Sequence, residues 1–145
     1  MTNLSSTQLM QTYLEQVVGQ GRLELIDALF CDDVIDEAAM AFGAPAGRAA
    51  VVAHVKGFRK HLDTPTVTIE QIVGQQDRVM AHWTFSGTHN GPWLNQPATG
   101  KPITGTVFSF FTLTQGRVSR YRLWLHANFD KPLVFDSRHS QPPSP

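Results

Sequence analysis

The chain has 145 residues, and its twelve basic and twelve acidic side chains cancel. No basic stripe exists to track phosphates, so nucleic acid is not an expected partner. No apolar run approaches the ~20 residues of a membrane helix, so no membrane partner is expected either. The opening MTNLSSTQLMQTYLEQ lacks the basic-then-apolar form of a signal peptide.

The first half reads as helical. Ser5 or Ser6 can cap a helix whose apolar positions Leu9, Met10, Tyr13, Leu14, Val17 and Val18 recur at a period near 3.6. Gly19 and Gly21 end it, because glycine takes the left-handed backbone that helix ends favour. A shorter second helix is expected at Leu23 to Phe30. The segment VIDEAAMAF (34–42) is compatible with a short strand. A third helix covers 44–62, with Val51, Val52, Val55, Phe58 and Leu62 on one side.

The period then changes. TVTIEQIVG (66–74), RVMAHWTFSGTH (78–89), ITGTVFSFFTLT (103–114) and RVSRYRLWLHANF (117–129) are rich in β-branched and aromatic residues. GQQD, NQPATGK and TQGR mark the turns between them. Connections this short make the neighbours antiparallel. Three helices followed by a strand meander give an α+β fold, expected as one domain over 1–136 with a disordered tail over 137–145. Cys31 stands alone, which excludes an internal disulfide and fits a cytoplasmic location.

Strand alternation sorts the candidate site residues. In 78–89 the set Val79, Ala81, Trp83, Phe85, Gly87 and His89 shares one face and is apolar until its end. That face is expected to look inward, which places His89 on the rim of an aromatic-lined concavity. In the last strand, Val118, Arg120, Arg122, Trp124 and His126 share one face while Ser119, Tyr121, Leu123, Leu125 and Ala127 share the other. Alternation leaves open which of the two is inner, and a single bulge swaps them. If Trp124 and His126 point inward, two imidazoles share one pocket.

GTHNG (87–91), the loop ending ATGK (98–101) and a final strand opened by GRV (116–118) resemble the SnoaL-like polyketide cyclases of the nuclear transport factor two-like superfamily. The likeness runs from about Leu9 to Asp130. It implies a cone-shaped, strongly curved antiparallel sheet, a cavity closed by about three N-terminal helices, and a homodimer formed through the outer sheet face. It also implies intramolecular aldol chemistry that uses one aspartate on the last strand and no cofactor. His89 matches a pocket histidine of that pattern. Alignment of GRVSRYRLWLH puts His126 where the aspartate is usual, and Asp130 lies four residues further on. The closing Leu-x-x-Gln-Leu-Gly of the family is replaced by KPLVFDS.

Removing a proton beside a carbonyl needs a base in hydrogen-bond reach and a donor to hold the enolate. An imidazole, with a pKa near ~6.5, accepts a proton at neutral pH with less tuning than a carboxylate near ~3.9. His126 is therefore expected as the acid/base and His89 as the oxyanion donor. Trp83, Phe85, Trp93 and Trp124 would shape the site, with Tyr13 and Asp36 as further lining residues. His54 and His61 read as surface or packing residues, and no ligand spacing for a metal appears. The expected function is a cofactor-free cyclisation, isomerisation or elimination on an apolar, oxygenated small molecule. The alternative is a binding protein that uses the same cavity without chemistry.

Overall fold

The computed structural model describes residues 4–138. Helix α1 spans Ser6–Thr12. The Ser5 hydroxyl accepts the Gln8 N–H, and the Gln8 side chain returns a bond to the Ser5 N–H, a reciprocal cap that satisfies two orphan donors. The helix widens into a π turn over Tyr13–Val18, with Gly19 N–H reaching back to Leu14. Gly19 stays right-handed, and any Cβ there would press on the Glu15 carbonyl. The left-handed residue is Gly21, at φ 76°. Arg59 then donates to the Val18 and Gly19 carbonyls, both at 2.9 Å, covering acceptors that the helix end leaves open.

The expected second helix is shorter than 23–30. A 3₁₀ turn at Leu23–Leu25 leads into α2, Ile26–Leu29, and Phe30 already begins β1, Phe30–Asp36. The short strand expected within 34–42 is corrected in the same way. Strand β1 ends at Asp36 and helix α3 occupies Glu37–Ala41, because the Asp36 carboxylate caps it by accepting the Ala39 N–H. Helix α4 runs Arg48–His61. Its buried stripe is Ala50, Val51, Val55 and Phe58, and its last turn carries Arg59, Lys60 and His61, which complement the helix dipole.

Strands β2 (Leu62–Gln75), β3 (Arg78–His89), β4 (Pro102–Thr114) and β5 (Arg117–Asn128) form the expected antiparallel meander. Strand β2 starts earlier than expected and holds Pro65. That is tolerated because β2 pairs only with β3 and slips register between Asp63 and Thr66. Two pairings were not legible. Strand β1 runs parallel to β5, with Asp36 opposite Tyr121, and β6 (Pro132–Asp136) runs antiparallel to the far half of β5. The two short strands thus share one edge of β5. Residues 139–145 of the expected tail lie outside the described residues. Ser137 is buried, its hydroxyl accepting the Leu123 N–H at 2.9 Å, so the chain is still packed at the point where the tail was expected to start.

The six-stranded sheet is curved and unclosed, and the helices cover one of its faces. Tyr13, Phe30, Phe111 and Tyr121 meet edge to face within that layer at centroid distances of 4.9–5.7 Å. Such contacts contribute about 0.5–1.5 kcal/mol each beyond their buried area.

Candidate active site

The turn from β1 into α3 fixes the most consequential side chain. Asp36 is fully buried. Its Oδ1 accepts the Ala39 N–H at 3.1 Å, and its Oδ2 lies 2.7 Å from His54 Nδ1 on α4. A carboxylate only accepts, so Nδ1 carries a proton, and in the neutral ring Nε2 keeps its lone pair. The imidazole stacks on the Tyr121 ring, with centroids 5.3 Å apart at 26°. Burial alone pushes the His54 pKa down, but the Asp36 charge and the hydrogen bond to it outweigh burial, and the net direction is up.

His54 opens on a cavity of about 400 Å³ between α3, α4, the loop after β3 and the inner sheet face. Ala53, His54, Gly57 and His61 form the α4 wall; Leu123, Leu125, Phe135 and Trp93 stand among the larger side chains. A deeper recess of about 30 Å³ is lined in part by His54, Tyr13, Tyr121 and Trp83. The Trp83 indole donates to Ser109 Oγ at 3.0 Å, and Ser109 Oγ lies 3.2 Å from the Tyr121 hydroxyl. Burial first, then the nearby Asp36 charge, raises the Tyr121 pKa; burial, Tyr121 and Asp36 raise that of Tyr13. Both phenols therefore stay protonated at neutral pH.

The loop that closes the cavity turns at Leu94 and Asn95, both at positive φ (53° and 60°), while Trp93 and Gln96 exchange two backbone hydrogen bonds. This is a two-residue reversal of the primed type. A leucine rarely takes that conformation, and here its side chain lines the cavity.

Several expected residues fall where the alternation put them. Trp83 and Phe85 are buried on the inner face of β3. Trp83 lines the recess, whereas Phe85 packs against Phe58 and Trp93 as core. Trp93 lines both cavity and recess, Tyr13 lines the recess, and Asp36 sits behind His54.

The two expected catalytic histidines are placed differently. His126 lies with Trp124 on the outer sheet face, their rings stacked 6.5 Å apart at 15°. It borders a depression with Thr66, Thr84 and Thr106, not the cavity. The cause is an irregularity between Thr112 and Leu113, which lets Val118 and Tyr121 both face inward and sends the even-numbered residues of β5 outward. Trp124 is displaced for the same reason. His89 does face inward, but it is fully buried rather than on a rim. Its Nδ1 lies 3.3 Å from Thr99 Oγ1, its ring meets Phe129 edge-on, and its Nε2 has no hydrogen-bond partner among the described residues. Burial lowers its pKa, with the Gly91 backbone opposing.

The shared motif residues thus brace a loop. His89 N–H bonds the Lys101 carbonyl, Gly100 N–H bonds the His89 carbonyl, and Lys101 N–H bonds Thr99 Oγ1. Asp130 pairs with Lys101 on the exposed surface. Among the described residues, no three His, Cys, Asp or Glu side chains converge as a metal site, and no helix is long and apolar enough to cross a membrane.

His54 was missed because its polar side chain sits on a helix in a stretch of small residues, which reads as surface. Its partner was among the candidates: Asp36 closes β1 in a stretch that also holds Asp32, Asp33 and Glu37. The signal available was one acid of that cluster and a histidine eighteen residues further on, and no local spacing links them.

The model of the SnoaL-like polyketide cyclases matches residues 8–127. The chain belongs to that family. Among solved structures, this SnoaL-like chain is similar to TsrD from Streptomyces laurentii, with a TM-score of 0.74 at 20% identity, covering 84% of this chain and 90% of that one. It is similar to a SnoaL-like polyketide cyclase from Agrobacterium tumefaciens, with a TM-score of 0.68 at 14% identity and coverages of 88% and 89%. IdmH from Streptomyces antibioticus gives 0.63 at 22% identity, with coverages of 83% and 89%. At these identities the likeness concerns the fold. No curated protein matches the sequence. The inner face of β5 in this SnoaL-like protein presents Tyr121, Leu123, Leu125 and Ala127, so the ionisable pair at the cavity comes from β1 and α4 instead.

Proposed function

We propose that the chain is a cofactor-free acid–base enzyme acting on an apolar, oxygenated small molecule, with His54 as the base and Asp36 as the residue that positions it. The observation that carries this reading is the Asp36–His54 hydrogen bond at the wall of an apolar cavity. His54 Nε2 takes a proton from carbon beside a carbonyl, and the imidazolium forms next to the buried carboxylate, which favours it. The enolate oxygen needs a donor, and the protonated phenols in the recess are the available ones. The proton then returns to carbon in an isomerisation, to the new alkoxide in an aldol cyclisation, or to the departing hydroxide as water in an elimination, so each closes without an outside reagent.

The test is solvent exchange. A polycyclic β-diketone incubated in deuterium oxide should acquire deuterium at its acidic carbon faster with the protein than without, by mass spectrometry. His54→Ala should abolish that acceleration. Exchange that persists in His54→Ala overturns the assignment.

A binding role without chemistry has one observation in its favour, the absence of a carboxylate or imidazole on the inner face of β5. It predicts a retained ligand recovered unchanged and unlabelled after long incubation. We also propose that the protein pairs with a second copy through the outer sheet face. There Met80, Phe108, Phe110 and Trp124 border a depression of about 610 Å³, and Phe110 is 40% exposed, an apolar surface that a lone subunit leaves wet.

A further inference from the structure

Gly57 is an anomaly of helix α4. It lies in the middle of a 14-residue helix, where glycine is, after proline, the residue that helices tolerate least. Three reasons usually excuse such a glycine, and none applies. Its φ is not in the left-handed range, unlike that of Gly21 or Gly47. No neighbouring backbone crowds it, since a Cβ built there meets no atom within 4 Å. The helix does not end there, because four more residues follow. What Gly57 does is line the large cavity, one turn beyond His54 and one turn before His61.

The wall around it has the same character. Ala38, Ala39 and Ala53 add side chains of one carbon from α3 and α4, while Trp93, Leu125 and Phe135 come from the loop and the sheet. Phe42, packed on Phe135 at 5.4 Å, adds bulk beside the small residues after α3. Small residues on the helices against broad ones on the sheet leave room for a slot. We propose that Gly57 is a specificity-determining residue: its missing side chain lets a flat, multi-ring ligand lie directly against the α4 backbone, beside His54 Nε2. The inference rests on the cavity being the substrate site, as proposed above, and adds which position sets the ligand's thickness. A Cβ at 57 occupies the slot floor and lifts the ring system from the imidazole. A one-ring ligand has room to avoid it.

The experiment separates helix propensity from ligand space, because the two predict opposite signs. The probes are 1,8-dihydroxyanthraquinone as the flat tricycle and 4-nitrophenol as the single ring, titrated calorimetrically against the full chain. Gly57→Ala should raise Tm, because alanine suits the helix better, weaken the tricycle at least fivefold, and leave 4-nitrophenol within twofold. Gly57→Leu, which fills more of the slot, should abolish tricycle binding while circular dichroism stays unchanged. Tricycle binding that is unaltered in Gly57→Ala, or that is absent from the parent protein, overturns the proposal. So does a fall in Tm, since the glycine is then required by the fold. The solvent-exchange test separates this from the catalytic reading: a parent that binds the tricycle and loses it in Gly57→Ala, yet does not accelerate exchange, keeps the slot and discards the base.

Discussion

Asp36 divides its two oxygens between a main-chain N–H and a side chain, Ala39 at 3.1 Å and His54 at 2.7 Å. The carboxylate therefore cannot turn toward one partner without leaving the other. Asp36→Asn keeps an oxygen for the helix cap but has only one to give, so the imidazole is left facing an amide or adopts the other tautomer. Turnover should fall by about 10²–10⁴-fold, the usual worth of a positioned acid–base group. Asp36→Ala should in addition lose about 3–5 kcal/mol of stability by chemical denaturation, as expected when one partner of a buried pair is removed.

The pH dependence has a definite sign. His54 is raised in the folded protein, by Asp36 against the effect of burial. Stability from the pair is complete below the unfolded value near ~6.5 and is lost as pH rises through the raised folded value. A base must be unprotonated, so kcat should rise with pH along a limb whose midpoint lies above ~6.5. Asp36→Asn should move that midpoint down. A kcat profile flat from pH 6 to 9 would show that His54 does not titrate in the rate-limiting step.

His89 contributes in the opposite direction. Its pKa is lowered by burial, so its contribution is present above ~6.5 and fades as pH falls below that value. Below ~6.5, where the His54 contribution is already complete, thermal melts of the parent should lose Tm on further acidification, and His89→Gln should flatten the decline. An equal slope in both proteins would remove His89 as its source.

His126→Ala is the informative control on β5. The side chain faces outward, beside Trp124 and the threonines of the outer depression. Turnover should stay within about twofold of the parent, the range expected for a surface change away from the chemistry.

These contrasts show what the sequence could disclose. Along β3 the alternation of Val79, Ala81, Trp83, Phe85 and His89 transferred directly to burial, because the strand is regular and one face is covered. Along β5 the same reasoning left two options, and a single irregularity opposite Thr112 and Leu113 decided between them. That irregularity leaves no trace in residue type. The parallel pairing of β1 with β5 was equally silent, since its partners are 85 to 88 positions apart and no turn connects them. The proposed acid–base pair sits on the β1–β5 pairing, with Asp36 opposite Tyr121, so no local pattern of residues could disclose it.

Gly105 tests the packing over β4. It pairs with Phe85, and a Cβ at 105 would run into that ring. Gly105→Ala should cost about 1–3 kcal/mol by overpacking, read as a lower Tm. Because Phe85 packs on Trp93, the Trp93 emission should shift as well.

The proposed pairing of subunits is tested by light scattering after size exclusion. The parent should run as a dimer, and Phe110→Glu, which puts charge on an exposed apolar position, should run as a monomer with an unchanged circular dichroism spectrum. A monomeric parent would discard the proposal.

Register also dictates the sequence of events during synthesis. Asp36 lies opposite Tyr121, so the floor beneath His54 joins two segments 85 residues apart in the chain. A nascent chain released before residue 121 emerges holds the aspartate but has no strand to seat it on, and contacts spanning so much of the chain form slowly. The proposed acid–base centre is therefore complete only once β5 has joined β1, and a fragment ending before residue 121 is expected to lack it.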